Sequence, residues 1–238
     1  NRNYIAWLSM EKPGFESDKK RIIIHDFNSE TTVDYSTTFD YSAENLVWND
    51  KSNTLYFLST IAATNQIFEL NLDLKRITLL TQGDHDYNSL LFAKDRLITT
   101  KTTHAFPTEI VSISLQDNKE TQLTFTNQPI LDKITMGKTE KKIVKTTDGK
   151  DMLVWVIYPP HFDSTKKYPT LLYCQGGPQQ AVSHFFSYRW NFQMMAAHDY
   201  IIVAPNRRGL PGFGTEWNAQ ISGDYGGQNM KDYLSAID

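Results

Sequence analysis

Three kinds of short apolar segment return in a fixed order through the first half of the chain, and this recurrence restricts the fold more than any other feature. YIAWLS (4–9), TLYFLS (54–59) and RLITTK (96–101) form one kind, and RIIIHDF (21–27), NQIFELN (65–71) and TEIVSIS (108–114) a second. TTVDYS, KRITLLT and ETQLT follow as a third, reached through turns such as Asn28-Ser29 and Asp117-Asn118. β-branched and aromatic residues between such turns read as strands. The second kind begins at residues 21, 65 and 108, a spacing of 43–44 residues. A period of about 40–45 residues with several strands per repeat is that of β-propeller blades. A β-sandwich would also space its strands evenly, but it does not require one order of strand types to repeat. At about 42 residues per blade, residues 1–128 hold about three blades. A closed ring needs more, so further blades are expected before Asn1.

After Thr126 the pattern changes. A polar connector (129–142) leads to IVKTTDGKDMLVWVIYPP, a hairpin with Asp148-Gly149 at its tip. PTLLYCQG is a nearly continuous apolar run and reads as a fully buried strand. YRWNFQMMAAHD reads as a helix and IIVAPN as a second buried strand. Gln228–Asp238 reads as a final helix with Met230, Tyr233, Leu234 and Ile237 on one face. Alternating strands and helices predict a parallel α/β sheet over 143–238. The fold class expected is therefore incomplete all-β propeller blades followed by the N-terminal part of an α/β domain.

Composition excludes several functions. Net charge is −3 without a basic stripe, which argues against a nucleic-acid groove. No apolar run approaches the roughly 20 residues that span a bilayer. Cys174 is the only cysteine, so neither an internal disulfide nor a cysteine-based metal site is expected; no metal and no cofactor is assigned. The start shows no signal peptide, and both ends read as cuts within a longer protein.

In open α/β sheets the working groups lie beyond the carboxyl ends of the strands. Gln175-Gly176-Gly177-Pro178 follows the first buried strand, where glycines let a ligand approach the backbone. In α/β-hydrolases the loop at this place supplies a backbone N–H to the oxyanion hole; by itself the motif reads equally well as a Gly-Gly-Pro turn. Asn206-Arg207-Arg208-Gly209 follows the second strand, and Arg208 and Gly209 are candidates for a substrate-site loop. That loop lacks GxGxxG and GxxxxGK[ST], so it is not read as a nucleotide site.

KKYPTLLYCQGGPQ and YIIVAPNRRGLPGFGTEWNAQISGDYGGQNMKDYLSAID together resemble the start of the peptidase domain of the prolyl oligopeptidase family. The likeness rests on a strand ending in Gly-Gly-Pro and on the N-x-R-G-x-x-G-x-G pattern of Asn206, Arg208, Gly209, Gly212 and Gly214. The resemblance implies a serine exopeptidase that releases dipeptides, with a propeller admitting only short peptides to an α/β-hydrolase domain, and an exported, periplasmic or secreted location. It implies oxyanion donors at Gly177 or Gly176. Some relatives carry tyrosine or histidine where Gln175 stands, so only its side-chain amide remains as a further donor there. None of the twelve glycines begins a G-x-S-x-G elbow. With the order Ser, Asp, His, the whole triad is expected beyond Asp238, and residues 1–238 are expected to be inactive alone. Ser183-His184 is not read as a nucleophile and base, because adjacent side chains seldom face each other. His25, His85, His104, His161 and His198 are read as packed or solvated, Cys174 as an inert buried thiol, and Trp190, Phe192, Met194 and Met195 as helix packing. An esterase sharing the oxyanion loop, or a non-catalytic propeller module, are the alternatives. Side-chain specificity and oligomeric state are not legible.

Overall fold

A computed structural model describes residues 3–177 and 179–238, so Pro178 of the Gly-Gly-Pro turn lies outside the described residues. Three open antiparallel sheets come first. β1 (Tyr4–Ser9), β2 (Arg21–Asp26) and β3 (Thr31–Asp34) pair in that order. β4 (Glu44–Trp48), β5 (Thr54–Ile61), β6 (Thr64–Asn71) and β7 (Arg76–Leu79) form the second sheet. In the third, β8 (Asp86–Tyr87) and β9 (Leu91–Ala93) both pair with β10 (Arg96–Thr102), followed by β11 (Glu109–Ser114) and β12 (Glu120–Gln122). Each repeating strand triplet of the sequence is thus one sheet.

β5 shows why these sheets stack. Successive side chains of a strand point to opposite faces. Leu55 and Phe57 join Ile22, Ile24 and Phe39 in a core against the first sheet. Tyr56 and Leu58 join Leu97, Val111 and Ile113 in a core against the third. Both faces of the middle sheet are therefore covered, and each fully buried large apolar side chain contributes about 1.5–3 kcal/mol. The outward face of the first sheet instead exposes Ile5 and Trp7.

α1 (Gln128–Leu131) leads to β13 (Thr139–Lys145), which begins inside the stretch read from sequence as connector. β13 pairs with β14 (Asp151–Ile157) across the Asp148-Gly149 turn, where Gly149 takes φ +82°. β15 (Thr170–Leu172), α2 (Phe192–Ala196) and β16 (Ile201–Pro205) complete a mixed sheet of order β13-β14-β16-β15. Only β15 and β16 are parallel, and α2 lies in the connection between them. α3 (Thr215–Ala219) and α4 (Gln228–Ser235) follow. Trp155, Phe192, Ile202 and Leu210 pack on one face of this sheet and Met152, Val154, Val203 and Trp217 on the other.

Four sequence expectations need correction. The strand predicted from PTLLYCQG is only three residues long and lies at the sheet edge, with Thr170 and Leu171 exposed. Cys174 lies beyond it and is exposed. The helix predicted over 188–199 shrinks to α2, because Asn191 caps it by accepting from Met194 N (2.9 Å) and Asp199 turns left-handed at φ 63°. In α4, Met230 and Leu234 are exposed, as is Ile237 just beyond it, and the buried residues are Asn229, Asp232 and Tyr233.

The third blade-like sheet meets the mixed sheet through buried polar groups. His104 and His184 stack with centroids 4.2 Å apart, next to Trp155. His104 Nε2 donates to the Ser183 carbonyl (2.8 Å), which leaves its buried Nδ1 unpartnered. The Asp86 carboxylate, also buried, accepts from Asn65 N (2.9 Å). Burial lowers His104 to about 4 and His184 to about 2, the latter with help from His104, and raises Asp86 to about 6. His85 is lowered to about 4 by burial and by Lys101. Histidines depressed below their unfolded value of about 6.5 contribute stability that is present above that pH and lost as pH falls toward 4. Asp86 acts oppositely, losing its contribution as pH rises from 3.8 through about 6. Three histidines outweigh one carboxylate, so a net loss of about 4 kcal/mol is expected between pH 7 and pH 5. Urea midpoints at the two pH values measure it; an unchanged or higher midpoint at pH 5 would contradict the assignment.

Candidate active site

β15 and β16 run parallel, so the loops that follow them leave the sheet side by side. Tyr173 N still donates to Val203 O (2.8 Å), after which residues 174–177 turn away from the ladder. On the other strand, Asn206 N donates to Leu153 O (2.8 Å), and the Asn206 side-chain amide pairs with both backbone groups of Val182 (3.0 Å each). Trp155 Nε1 donates to the same Val182 carbonyl (2.9 Å). The chain returning from the Gly-Gly turn is thereby fastened to β14 and β16.

Gly176 and Gly177 are exposed, and among the described residues neither backbone N–H has a hydrogen-bond partner. A Cβ at Gly176 would meet open space. Gly177 adopts φ +115°, a conformation that L side chains rarely take, so its glycine is required by the backbone itself. The Gln175 amide is committed within the loop, donating from Nε2 to Gly176 O and to Gln180 Oε1 (3.1 Å each). That leaves backbone N–H groups, rather than the Gln175 side chain, as the available donors. A cleft of about 490 Å³ opens beside them, lined by Tyr173, Cys174, Gly176, Trp190 and Met195. Met195 thus faces a cleft as well as the core, whereas Trp190 and Met194, 51% and 66% exposed, join no core cluster and do not pack as the sequence led us to expect.

The two sequence-selected loops touch, but through a residue the sequence did not single out. Arg207, 3% exposed, reaches Gln175 O with Nη2 (3.1 Å), Tyr233 Oη with Nε (3.0 Å) and Arg208 O with Nη1 (2.7 Å). The Tyr233 hydroxyl in turn donates to Gln175 O (3.0 Å). Burial pushes the Tyr233 phenol up against the pull of Arg207, so it remains a donor at neutral pH. Although Cys174 is exposed, partial desolvation of its thiol outweighs the pull of Arg207 and pushes it up, away from the thiolate form.

Arg208 and Gly209, the candidates for a substrate-site loop, are both buried. Arg208 is 5% exposed and all five of its N–H groups are spent. Nε and Nη2 donate to Asp232 (2.7 and 3.0 Å), Nη1 and Nη2 to Asp148 (3.0 and 2.9 Å), and Nη1 also to Gln220 (3.3 Å). The Arg208 guanidinium, with Thr146 beside it, holds the Asp148 carboxyl well below the usual carboxylate range. Gly209 has φ +91°, and a Cβ there would lie 2.6 Å from Ile221 and 2.7 Å from Arg207 Nη1. Its role is to let Arg207 pass. Ser183 and His184 are both buried in the seam described above, and His184 Nδ1 faces His104 N (3.4 Å) rather than Ser183. No group of three or more histidine, cysteine, aspartate or glutamate residues suited to a metal occurs among the described residues.

Stacked antiparallel sheets joined to a sheet with a parallel, helix-crossed pair are the fold of a class of solved peptidases. The acylaminoacyl peptidase of Pyrococcus horikoshii superposes with a TM-score of 0.84 at 22% identity, over 99% of this chain and 36% of that one. Dipeptidyl peptidase 4 of Porphyromonas gingivalis gives 0.73 at 20% identity, over 100% of this chain and 34% of that one. Residues 186–238 match the prolyl oligopeptidase family. It is 45% identical to dipeptidyl-peptidase 5 of Porphyromonas gingivalis over 98% of its length and 34% of that protein's. A probable dipeptidyl-peptidase 5 of Emericella nidulans is 30% identical over 98% of this chain and 33% of its own. The chain spans about a third of the length of the curated relatives it matches.

Proposed function

We propose that the intact protein is a serine exopeptidase releasing dipeptides from peptide N-termini, and that Gln175–Gly177 supplies half of its oxyanion hole. The observation that carries this reading is the pair of backbone N–H groups at the exposed Gly176 and Gly177, without a partner among the described residues and just past the carboxyl end of a parallel strand. An attacked peptide carbonyl becomes a tetrahedral oxyanion, and one preorganised N–H donor to that oxygen is worth about 2.7–4 kcal/mol of barrier. Relatives named dipeptidyl-peptidase 5 support the substrate class.

On this reading residues 1–128 are the last blades of a propeller, 129–142 a connector, and 143–238 the start of an α/β-hydrolase domain. The order β13-β14-β16-β15, with an open β15 edge, supports it. The nucleophile's strand would pair along that edge and present a G-x-S-x-G elbow to the cleft. Residues 1–238 contain no such elbow and are inactive alone.

The full-length protein should hydrolyse dipeptidyl chromogenic substrates, lose that activity to a serine-directed inhibitor, and leave acyl esters comparatively untouched. Preference for acyl esters would replace this reading with an esterase. Absence of both activities would leave a binding module. Turnover by residues 1–238 alone would place the nucleophile within them and overturn the assignment.

A further inference from the structure

We propose that Arg207 and Tyr233 act as positioning residues for the oxyanion half-site, aiming the Gly176 N–H by holding the Gln175 carbonyl from behind. The inference rests on the peptidase reading above and adds two residues to it.

A trans peptide unit is planar, and its C=O and N–H point in opposite directions. Among the described residues no peptide bond is cis. Fixing the Gln175 carbonyl therefore fixes the Gly176 N–H on the other side of the same plane. Two donors fix it: Arg207 Nη2 at 3.1 Å and the Tyr233 hydroxyl at 3.0 Å. They are also tied to each other, since Arg207 Nε donates to Tyr233 Oη at 3.0 Å. Both side chains are buried, at 3% and 5% exposure, while the glycines they serve are exposed.

The clamp is itself braced. The Arg207 carbonyl accepts from Trp217 Nε1 (3.1 Å), and Gly209 N donates to Trp217 O (2.8 Å). A glycine-rich loop would otherwise sample many orientations. An oxyanion donor gains its value from being fixed before the charge develops. Arg207 and Tyr233 provide that fixing from the buried side, beyond what the Gln175 amide supplies within the loop.

The test uses the full-length protein with a dipeptidyl chromogenic substrate and a dipeptide boronic acid as transition-state analogue. Tyr233→Phe keeps the ring and removes only the hydroxyl. It should lower kcat about 10- to 100-fold, the cost of a misplaced catalytic group, with KM within about two-fold. Boronic acid affinity should fall in step with kcat, whereas a purely structural role would not link the two. Arg207→Met should do the same, and Arg207→Lys, which keeps one donor, should recover part of the loss. Normal kcat and boronic acid affinity in Tyr233→Phe, with only a lowered thermal midpoint, would overturn the positioning role. If Arg207→Met does not fold, Tyr233→Phe decides alone. A parent protein that turns over no dipeptidyl substrate overturns the peptidase reading instead, and the boronic acid is then not bound by any variant.

Discussion

Asp232→Ala should destabilise the protein by about 3–5 kcal/mol, the cost of leaving one partner of a buried ion pair without the other. The Asp232 side chain is fully buried and that of Arg208 is 6% exposed, so neither charge has water to fall back on. Asp232 also accepts from the Arg208 backbone N–H (3.1 Å), which makes it the point where α4 is fastened to the loop after β16. Asp148 gives the contrast. It contacts the same guanidinium at 2.9 Å but is 36% exposed, and an exposed pair contributes only about 0–1 kcal/mol. Asp148→Ala should therefore cost far less than Asp232→Ala. Replacing both Arg208 and Asp232 by methionine and leucine should regain most of the loss, since the penalty comes from the stranded charge. Urea unfolding of the three variants of the full-length protein measures the ordering; equal losses for Asp148→Ala and Asp232→Ala would refute the burial argument.

Gly209→Ala should cost about 2–5 kcal/mol. One part is conformational, because a left-handed backbone costs an L side chain about 1–2 kcal/mol. The other is steric: the new methyl would lie 2.6 Å from Ile221 Cβ and Cγ2 and 2.7 Å from Arg207 Nη1, and overpacking of this kind costs about 1–3 kcal/mol. Gly149 separates the two parts. It has φ +82° at the hairpin tip and open space around its Cα, so Gly149→Ala should show the conformational part alone. Gly209→Ala should also displace the Arg207 guanidinium and lower kcat, which Gly149→Ala should not. Equal destabilisation by the two substitutions would show that the steric clash relaxes away.

The strand triplets were legible because each central strand carries its own apolar alternation, and the fixed spacing repeats it. The first strands of the second and third sheets, β4, β8 and β9, were not. β4 is interrupted by a register shift between Glu44 and Val47, and β8 and β9 are two and three residues long. The turn between β5 and β6 was equally hidden. Ala62 and Ala63 occupy left-handed conformations usually filled by Asn-Gly. The reason is tertiary: Ala63 is buried in the core of the mixed sheet, and Ala62 N donates to Gly212 O (2.8 Å).

In the proposed oxyanion half-site, Gly176 and Gly177 were legible as candidates because glycines after a strand carry a local signal. Arg208 was legible only as a member of a glycine-rich loop after a strand. Only the folded chain brings Asp148 and Asp232 around it. Arg207 and Tyr233 carried no signal, since their meeting at Gln175 joins positions 32 and 58 residues apart in sequence. Tyr233 was assigned to an apolar helix face, whereas in the structure its hydroxyl bonds to Arg207 and to the Gln175 carbonyl.

The most direct test of the account is a crystal structure of the full-length protein with a dipeptide boronic acid bound to the nucleophilic serine. The boronate oxygen stands in for the oxyanion. It should lie about 2.7–3.1 Å from the backbone nitrogen of Gly176 or Gly177, with Gln175 O still held by Arg207 and Tyr233. A boronate oxygen bound only by other groups, with both glycine N–H groups turned to solvent, would contradict the assignment of this loop as the oxyanion half-site.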